Sequence, residues 1–252
     1  MKATSIPAHE QSFITSGIDG QGKKFKLKII NVPIPGSTET VKIVSCVREN
    51  NNDSFYFKEK FPKERIVLHF TAGYLKGDIA KLTDPNETVS VAHVIGRGGA
   101  IYQLWDDAWW SYHLGPGASG GNTEMSKRSI GIELSNIAWL RKSGTNLVTS
   151  YSNRDVYCRT DETSFYTKLP TPYRGESYYT TFTEVQYASL SKLLRLLLAK
   201  YPAIAPTFLP EPLRYQFIPQ PTAHKCIMSH VNFRATDKWD IGPAFRWDKV
   251  MI

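Results

Sequence analysis

Two short apolar runs constrain the fold of this chain most strongly. They are RIVLHFTAG, residues 65–73, and RSIGIELSN, residues 128–136. A compact apolar run that ends in small or polar residues is typical of a strand buried inside a sheet. A chain of 252 residues is long enough to cover such strands with its own core. The runs therefore favour one large domain built around a central sheet.

The clearest helix prediction covers residues 181–202, TFTEVQYASLSKLLRLLLAKYP. Thr183 can cap the N-terminus of this helix, and Pro202 can end it. The apolar face recurs with helical spacing and consists of Leu190, Leu193, Leu194, Leu197 and Leu198. We therefore expect a helix that packs its leucines against the sheet.

Two further segments support the same architecture. YLKGDIAKL, residues 74–82, predicts a short helix, and SVAHVIGRGGAIYQLW, residues 90–105, predicts a hairpin around Gly98 and Gly99. Strands that alternate with helices indicate the α/β class, with helices covering a central sheet.

The chain is expected to have two parts. Residues 1–60 contain three strand patterns, KFKLKIINVPI, TVKIVSCVRE and SFYFKEKF, and predict an all-β N-terminal extension. Residues 61–252 form the main domain. The polar stretch 141–180 is expected to be a long inserted loop or hairpin. We predict that the extension packs on or beside the main domain.

The net charge of +8 predicts a surface that attracts polyanions such as nucleic acid, anionic lipid or a bacterial cell wall. Lys24, Lys26 and Lys28 alternate with apolar residues, which fits either a solvated strand face or an anion-binding patch. Nucleic acid is not favoured as a partner, because no basic and aromatic recognition motif is present.

The N-terminal residues lack the apolar run of a secretory signal peptide, and no window has the ~18 consecutive apolar residues of a membrane span. Three widely spaced cysteines do not suggest a disulfide framework. We therefore expect a soluble monomer without membrane insertion. Its location stays open between the cytoplasm and release to the cell wall by lysis or a dedicated secretion system.

One loop carries a candidate metal site. SHVNFRATDKWDIGP, residues 229–243, contains His230, Lys238 and Asp240. His69, at the end of its predicted strand, is the candidate for a further ligand, although a histidine there, taken alone, is more often a hydrogen-bonded core residue. Catalytic zinc takes three such ligands and keeps one position for water. His69, His230 and Asp240 would complete that set.

Hydrolysis of an amide needs two more groups. Glu133, within RSIGIELSN, could accept the proton of water, unless it points outward from its strand. Lys238 could stabilise an oxyanion, whereas an isolated lysine in a loop is ordinarily a solvated charge.

Five segments together resemble the zinc-dependent N-acetylmuramoyl-L-alanine amidases of type 2, which are related to peptidoglycan recognition proteins. The segments occur in the family's order between about residues 63 and 248 and read VLHFTAG, SVAHVIGRGGAIYQL, SIGIELSN, FTEVQYASLSKLL and SHVNFRATDKWDIGPAFRW. The resemblance implies a mixed central sheet flanked by helices, one zinc ion, and hydrolysis of the amide between N-acetylmuramic acid and L-alanine of peptidoglycan.

The same resemblance assigns roles to residues. His69, His230 and Asp240 match the zinc ligands, Glu133 matches the catalytic glutamate, and Lys238 matches the lysine that stabilises the transition state. Some members carry a cysteine ligand eight residues after the second histidine. Here that position is Lys238, and the aspartate follows ten residues after His230, as in the AmpD and AmiD branch.

Several assignments stay open at this point. His224 and Cys226 in HKCIMSH are rival ligands. His93 and His113 match family histidines near the cleft and beside bound substrate, and Trp110 could stack on a sugar ring, although each could instead be a packing residue.

Three functions remain as hypotheses. The first is a zinc amidase that degrades polymeric cell wall, as endolysins do. The second is an amidase that recycles soluble muropeptides in the cytoplasm. The third is a peptidoglycan-binding module without activity, which the loss of a zinc ligand would have suggested.

Overall fold

The two apolar runs form neighbouring parallel strands at the centre of the molecule. The computed structural model describes all residues from 1 to 252. Its strands are β1 (Phe25–Pro33), β2 (Thr40–Arg48), β3 (Arg65–Phe70), β4 (His93–Ile95), β5 (Ile101–Gln103), β6 (Ser129–Leu134), β7 (Trp139–Ser143), β8 (Asn146–Thr149), β9 (Val156–Arg159), β10 (Tyr166–Tyr173), β11 (Glu176–Thr180) and β12 (Ile227–Ser229). Its α-helices are α1 (Ile6–Ser16), α2 (Leu75–Leu82), α3 (Asn122–Lys127) and α4 (Glu184–Lys200).

Seven strands form the central sheet, in the order β1-β2-β5-β4-β6-β3-β12. The pairs β1 with β2 and β4 with β5 are antiparallel, and the other four neighbouring pairs are parallel. All six residues of β3 are buried, as expected for a central strand of a parallel region. The predicted mixed sheet of an α/β protein is confirmed.

Helix α4 confirms the strongest helix prediction. The Thr183 hydroxyl accepts from the backbone N–H of Gln186, whose side chain accepts from the N–H of Thr183 in a capping box. The leucines at 190, 193, 194 and 197 are fully buried in the core, each stabilising the fold by roughly 1.5–3 kcal/mol. No helix of the protein is both long and apolar enough to cross a membrane.

The short helix and the hairpin are also confirmed. Helix α2 forms within the segment predicted to be helical, and β4 pairs antiparallel with β5. Gly99 adopts a left-handed conformation with φ of 83° at the turn, which a residue without a side chain tolerates.

The expectation of strands alone in residues 1–60 is wrong, because Ile6–Ser16 forms helix α1. Pro7 lies in its first turn, and Gly17 ends it in a left-handed conformation. The buried carboxylate of Glu10 accepts from the N–H groups of Arg97 and Gly98, both at 2.8 Å. These bonds tie the helix to the β4–β5 turn.

The N-terminal segment is joined to the rest of the fold through the sheet. Strand β2 pairs in parallel with β5, with Ile43 opposite Ile101. Residues 54–61, SFYFKEKF, do not form the predicted strand and contribute only an isolated bridge between Phe57 and Trp110. The segment therefore continues the central sheet of the main domain.

The stretch predicted to be a loop or hairpin is instead a second sheet. Strands β7 to β11 pair antiparallel in the order β10-β11-β7-β8-β9. Its buried Leu140, Leu147 and Tyr157 pack with Ala3 and Ile6 of the N-terminal segment. The strands are short and mostly polar, so the apolar contacts that stabilise them come from residues distant in sequence. We call this sheet the inserted sheet.

Candidate active site

Parallel pairing brings the predicted site residues to one edge of the central sheet. β6, β3 and β12 are neighbours and run in the same direction, so their carboxyl ends meet at the same edge. His69 and Glu133 are the penultimate residues of β3 and β6, and His230 directly follows β12. Ligand sites of parallel sheets form at this edge because loops leave the strands there.

His69, His230 and Asp240 converge on one point. Nδ1 of His69 lies 2.9 Å from Nδ1 of His230 and 3.2 Å from Oδ2 of Asp240. Nδ1 of His230 lies 2.9 Å from the same carboxylate oxygen. The three residues are only 1%, 3% and 5% exposed. They are the one set of three His, Cys, Asp or Glu side chains in this protein arranged to hold a metal ion.

The donor set fits a divalent metal. Nε2 of His230 lies 3.0 Å from the carbonyl oxygen of Leu114 and must donate to it, because a carbonyl only accepts. In a neutral His230, Nδ1 then carries a lone pair and faces the carboxylate of Asp240 without a hydrogen between them. Two buried acceptors this close need a cation, and two histidines with one carboxylate are a zinc donor set.

The surroundings favour the metal-binding protonation states. Burial and the nearby His230 lower the pKa of His69 to about 4, which keeps its ring neutral. Burial acts to raise the pKa of Asp240, but the neighbouring imidazoles of His230 and His69 outweigh it and hold that pKa below its usual range. Neutral imidazoles and an ionised carboxylate are the forms that bind metals.

The inserted sheet holds the loop that carries Lys238 and Asp240. The guanidinium of Arg174 donates to the carbonyl oxygens of Lys238 and Arg234. In return, Nε1 of Trp239 donates to the carbonyl oxygen of Arg174 at 3.2 Å. A loop without regular structure thus receives fixed backbone contacts on both sides of Lys238.

Glu133 has the properties of a proton-transfer group. Its Oε2 is buried and has no hydrogen-bond partner. Burial, reinforced by the carboxylates of Asp240 and Asp78, raises its pKa well above the usual value. An unpaired buried carboxylate is costly, and such groups cluster at functional sites.

A cavity of about 230 Å³ joins these groups. All five residues predicted for metal binding and catalysis line it, with Lys238 partly exposed at its wall. Trp139 and Trp239, whose ring centroids are 4.3 Å apart, also line the cavity. A larger cleft of about 600 Å³ beside β2 and β5 contains none of the predicted site residues.

Of the three predicted substrate contacts, only His113 lines this cavity. Nδ1 of His113 lies 3.0 Å from Nε2 of His69. Burial and the neighbouring His69 and His230 lower the pKa of His113 well below its usual value, so its ring is neutral.

His93 and Trp110 lie apart from the cavity. His93 pairs with Ile132 on β6, one residue before Glu133, so its side chain leaves the opposite face of the sheet. Nε2 of this fully buried histidine lies 3.3 Å from the carboxylate of Asp107. Trp110 is 4% exposed and stacks on Phe57 with ring centroids 4.3 Å apart.

The rival ligands are not part of the metal-binding group. Cys226 is buried in an apolar cluster with Met228 and Leu209. His224 is partly exposed, and its carbonyl oxygen accepts from Arg65 at 3.3 Å.

Sequence reasoning missed three residues of the site. Trp239 lies between the predicted site residues Lys238 and Asp240, and this position in the sequence could have indicated that it belongs to the site. Arg174 gave no signal, because residues 141–180 were expected to be a loop or hairpin without a part in the chemistry. Trp139 lies just before that stretch and was assigned no role.

Comparison with known proteins identifies a family match across most of the chain. The family model described as N-acetylmuramoyl-L-alanine amidase matches residues 60–243. A search among curated proteins finds no match.

Several solved structures are similar to this protein. AmiD from E. coli, in complex with anhydro-N-acetylmuramic acid-L-Ala-D-gamma-Glu-L-Lys, is 22% identical with a TM-score of 0.49, over 77% of this chain and 58% of that chain. AmpDH3 from Pseudomonas aeruginosa is 17% identical with a TM-score of 0.47, over 77% and 60%. LysC from Clostridium intestinale URNW is 16% identical with a TM-score of 0.36, over 75% and 83%. This chain thus spans less than two thirds of the length of the first two.

Proposed function

The chain belongs to the N-acetylmuramoyl-L-alanine amidase family, and on this premise we propose that it hydrolyses the amide bond between N-acetylmuramic acid and L-alanine in peptidoglycan with one zinc ion. The observation that carries the proposal is the convergence of His69, His230 and Asp240 within 3.2 Å of one another, in a cavity that also contains Glu133.

The three converging side chains would hold the ion. A zinc ion in this site supplies a water of lowered pKa and a Lewis acid for the amide carbonyl. The carbonyl of Leu114 orients His230 by accepting from its Nε2–H, so the ring cannot turn away from the ion without losing a buried hydrogen bond.

Glu133 would move the proton. Its pKa is raised above the usual value of a carboxyl group. A group whose pKa lies nearer to the working pH can both accept and return a proton. It accepts a proton from the attacking water at the free Oε2 and delivers it to the amide nitrogen, which leaves as the amine of L-alanine.

Lys238 would stabilise the negative charge that develops on the carbonyl oxygen. Its side chain lines the same cavity, and the contacts of Arg174 fix its backbone. A positioned cation is most effective where water is largely excluded.

The complete set of groups distinguishes this proposal from a binding module. A module without activity has no need for a buried carboxylate lacking a partner, because that group reduces stability. We further propose polymeric cell wall as the substrate, since the net charge of +8 favours a polymer rich in carboxylates and phosphates over a small muropeptide.

The test combines metal analysis with product analysis. Purified protein should contain one zinc per chain, and digestion of peptidoglycan should release stem peptides with a free L-alanine amine, as read by mass spectrometry. Removal of zinc by a chelator should abolish release, and added zinc should restore it. Intact peptidoglycan after incubation with zinc-loaded protein would favour the binding module.

A further inference from the structure

His113 has no ring atom left for substrate, although it lines the cavity. Its Nδ1 lies 3.0 Å from Nε2 of His69, and its Nε2 lies 2.8 Å from the hydroxyl oxygen of Ser129. His113 is 6% exposed and Ser129 is 2% exposed. A polar contact with substrate would have to break one of these buried bonds.

The direction of this hydrogen-bond chain is determined at its far end. The hydroxyl of Ser129 lies 2.6 Å from the carbonyl oxygen of Met125. A carbonyl cannot donate, so the single hydroxyl hydrogen points to Met125 and the Ser129 oxygen accepts from Nε2–H of His113. Nδ1 of the neutral His113 is then bare and accepts from Nε2–H of His69. The remaining nitrogen of His69, Nδ1, is left with its lone pair toward His230 and Asp240.

The reverse direction is unfavourable. If His113 donated to His69 through Nδ1–H, its bare Nε2 would require the hydroxyl hydrogen of Ser129. The Ser129 and Met125 oxygens would then face each other at 2.6 Å without a hydrogen. Nδ1 of His69 would also carry a hydrogen and could not bind a metal.

The sheet provides the space for this arrangement. Ser129, Gly131 and Glu133 alternate along β6 and face the same side. A Cβ atom on Gly131 would lie 3.1 Å from Cγ of His113, so a side chain there would crowd the imidazole. The imidazole of His113 therefore packs over Gly131, which has no side chain and lies between Ser129 and Glu133 on this face of β6.

From these contacts we infer that His113 is a positioning residue: with Ser129 and the Met125 carbonyl it fixes the tautomer of His69 for metal binding. The adjacent Leu114 carbonyl does the same for His230. Residues 113–114 thus orient both histidine ligands, one through a side chain and the other through the backbone. The inference rests on the proposed zinc site.

The experiment measures zinc affinity by competition with a chelator. His113→Leu removes the acceptor for His69 and should weaken binding by about 10- to 100-fold, as for other groups that orient ligands. His113→Asn places an amide oxygen where Nδ1 was and should recover part of the loss. Ser129→Ala removes the hydroxyl that sets the direction of the hydrogen bonds, so it should also weaken zinc binding. This variant keeps the test usable if His113→Leu does not fold.

A spectroscopic measurement tests the direction itself. Nitrogen-15 spectra of the zinc-loaded wild type should show His69 and His113 both protonated at Nε2. His113 protonated at Nδ1 would overturn the inference. A folded His113→Leu protein with wild-type zinc affinity and a raised KM would also overturn it and make His113 a substrate contact. Absence of zinc from the wild type would instead reject the proposed metal site.

Discussion

His69 and Glu133 lie directly opposite each other on the parallel strands β3 and β6. Paired residues of neighbouring strands leave the same face of a sheet, so the proposed metal ligand His69 and the unpaired carboxylate of Glu133 stand side by side. All of β3 and every residue of β6 except the partly exposed Glu133 are buried, and the pair cannot separate without disrupting the core. The geometry of the site therefore depends on the stability of the central sheet.

Replacing Glu133 with Gln should separate proton transfer from metal binding. The amide keeps the shape of the side chain but cannot accept the proton of water, so kcat should fall by roughly 10²- to 10⁴-fold. Zinc content should stay at one per chain, because Glu133 is not among the three converging ligands. Steady-state kinetics and metal analysis of one preparation check both points. Substantial residual activity in E133Q would assign the proton transfer to another group.

Removing the side chain of Arg174 should loosen the loop of Lys238 and Asp240. Arg174→Ala loses the bonds to the carbonyl oxygens of Lys238 and Arg234, and we expect kcat to fall by about 10- to 100-fold because the reacting groups are less well positioned. Arg154→Ala is the matched control, since Arg154 is exposed on the same insertion. Equal activities of the two variants would contradict a positioning role for the inserted sheet.

The buried carboxyl of Asp78 should make stability depend on pH. Burial raises its pKa from about 3.8 to about 7, although a hydrogen bond from Ser135 opposes the shift. Between these values the unfolded chain is ionised and the folded chain is protonated, so this group's contribution to stability falls as pH rises. The free energy of unfolding of Asp78→Asn minus that of wild type should therefore increase from pH 4 to pH 7, by a few kcal/mol at most.

Urea unfolding of both proteins across this pH range measures the difference. Asp53→Asn serves as the comparison, because Asp53 is partly exposed and a hydrogen bond from Lys58 lowers its pKa. A flat difference for Asp78→Asn would show that this carboxyl is ionised in the folded protein.

The exposed lysines of β1 should assist attack on polymeric wall. Lys26→Glu with Lys28→Glu changes the charge of an exposed strand without touching the cavity. We expect slower digestion of sacculi at low salt, an effect that fades near 1 M salt, where screening acts over about 3 Å. Hydrolysis of a soluble muropeptide should not change.

A second pair of lysines provides the control for net charge. Lys142 and Lys168 are exposed on the inserted sheet, and their exchange for Glu alters the total charge equally. If both double variants digest sacculi at the same reduced rate, net charge and not the β1 face is responsible.

Local sequence patterns were sufficient to predict much of the fold. Thr183 and the leucines after it specified α4, because capping and helical spacing are properties of neighbouring residues. The apolar runs of β3 and β6 were equally clear predictions, because a strand that is buried on both faces has a nearly continuous apolar sequence. Helix α1 was missed even though Pro7 and Gly17 mark its two ends.

The inserted sheet could not be predicted in this way. Its apolar residues are stabilised by contacts with Ala3 and Ile6, more than a hundred residues earlier in the sequence. Strand preference depends on such neighbours more than on the residues of the strand.

Sequence alone determined which chemical groups the site could contain, because residue type and order carry that information. Only tertiary structure decided where each group points. His93 leaves one face of the sheet and His69 the other, and pairing register sets that difference. The lone pair of His69 depends on a carbonyl of Met125, and that of His230 on a carbonyl of Leu114. Every residue has such a carbonyl, so only the folded chain reveals which ones act.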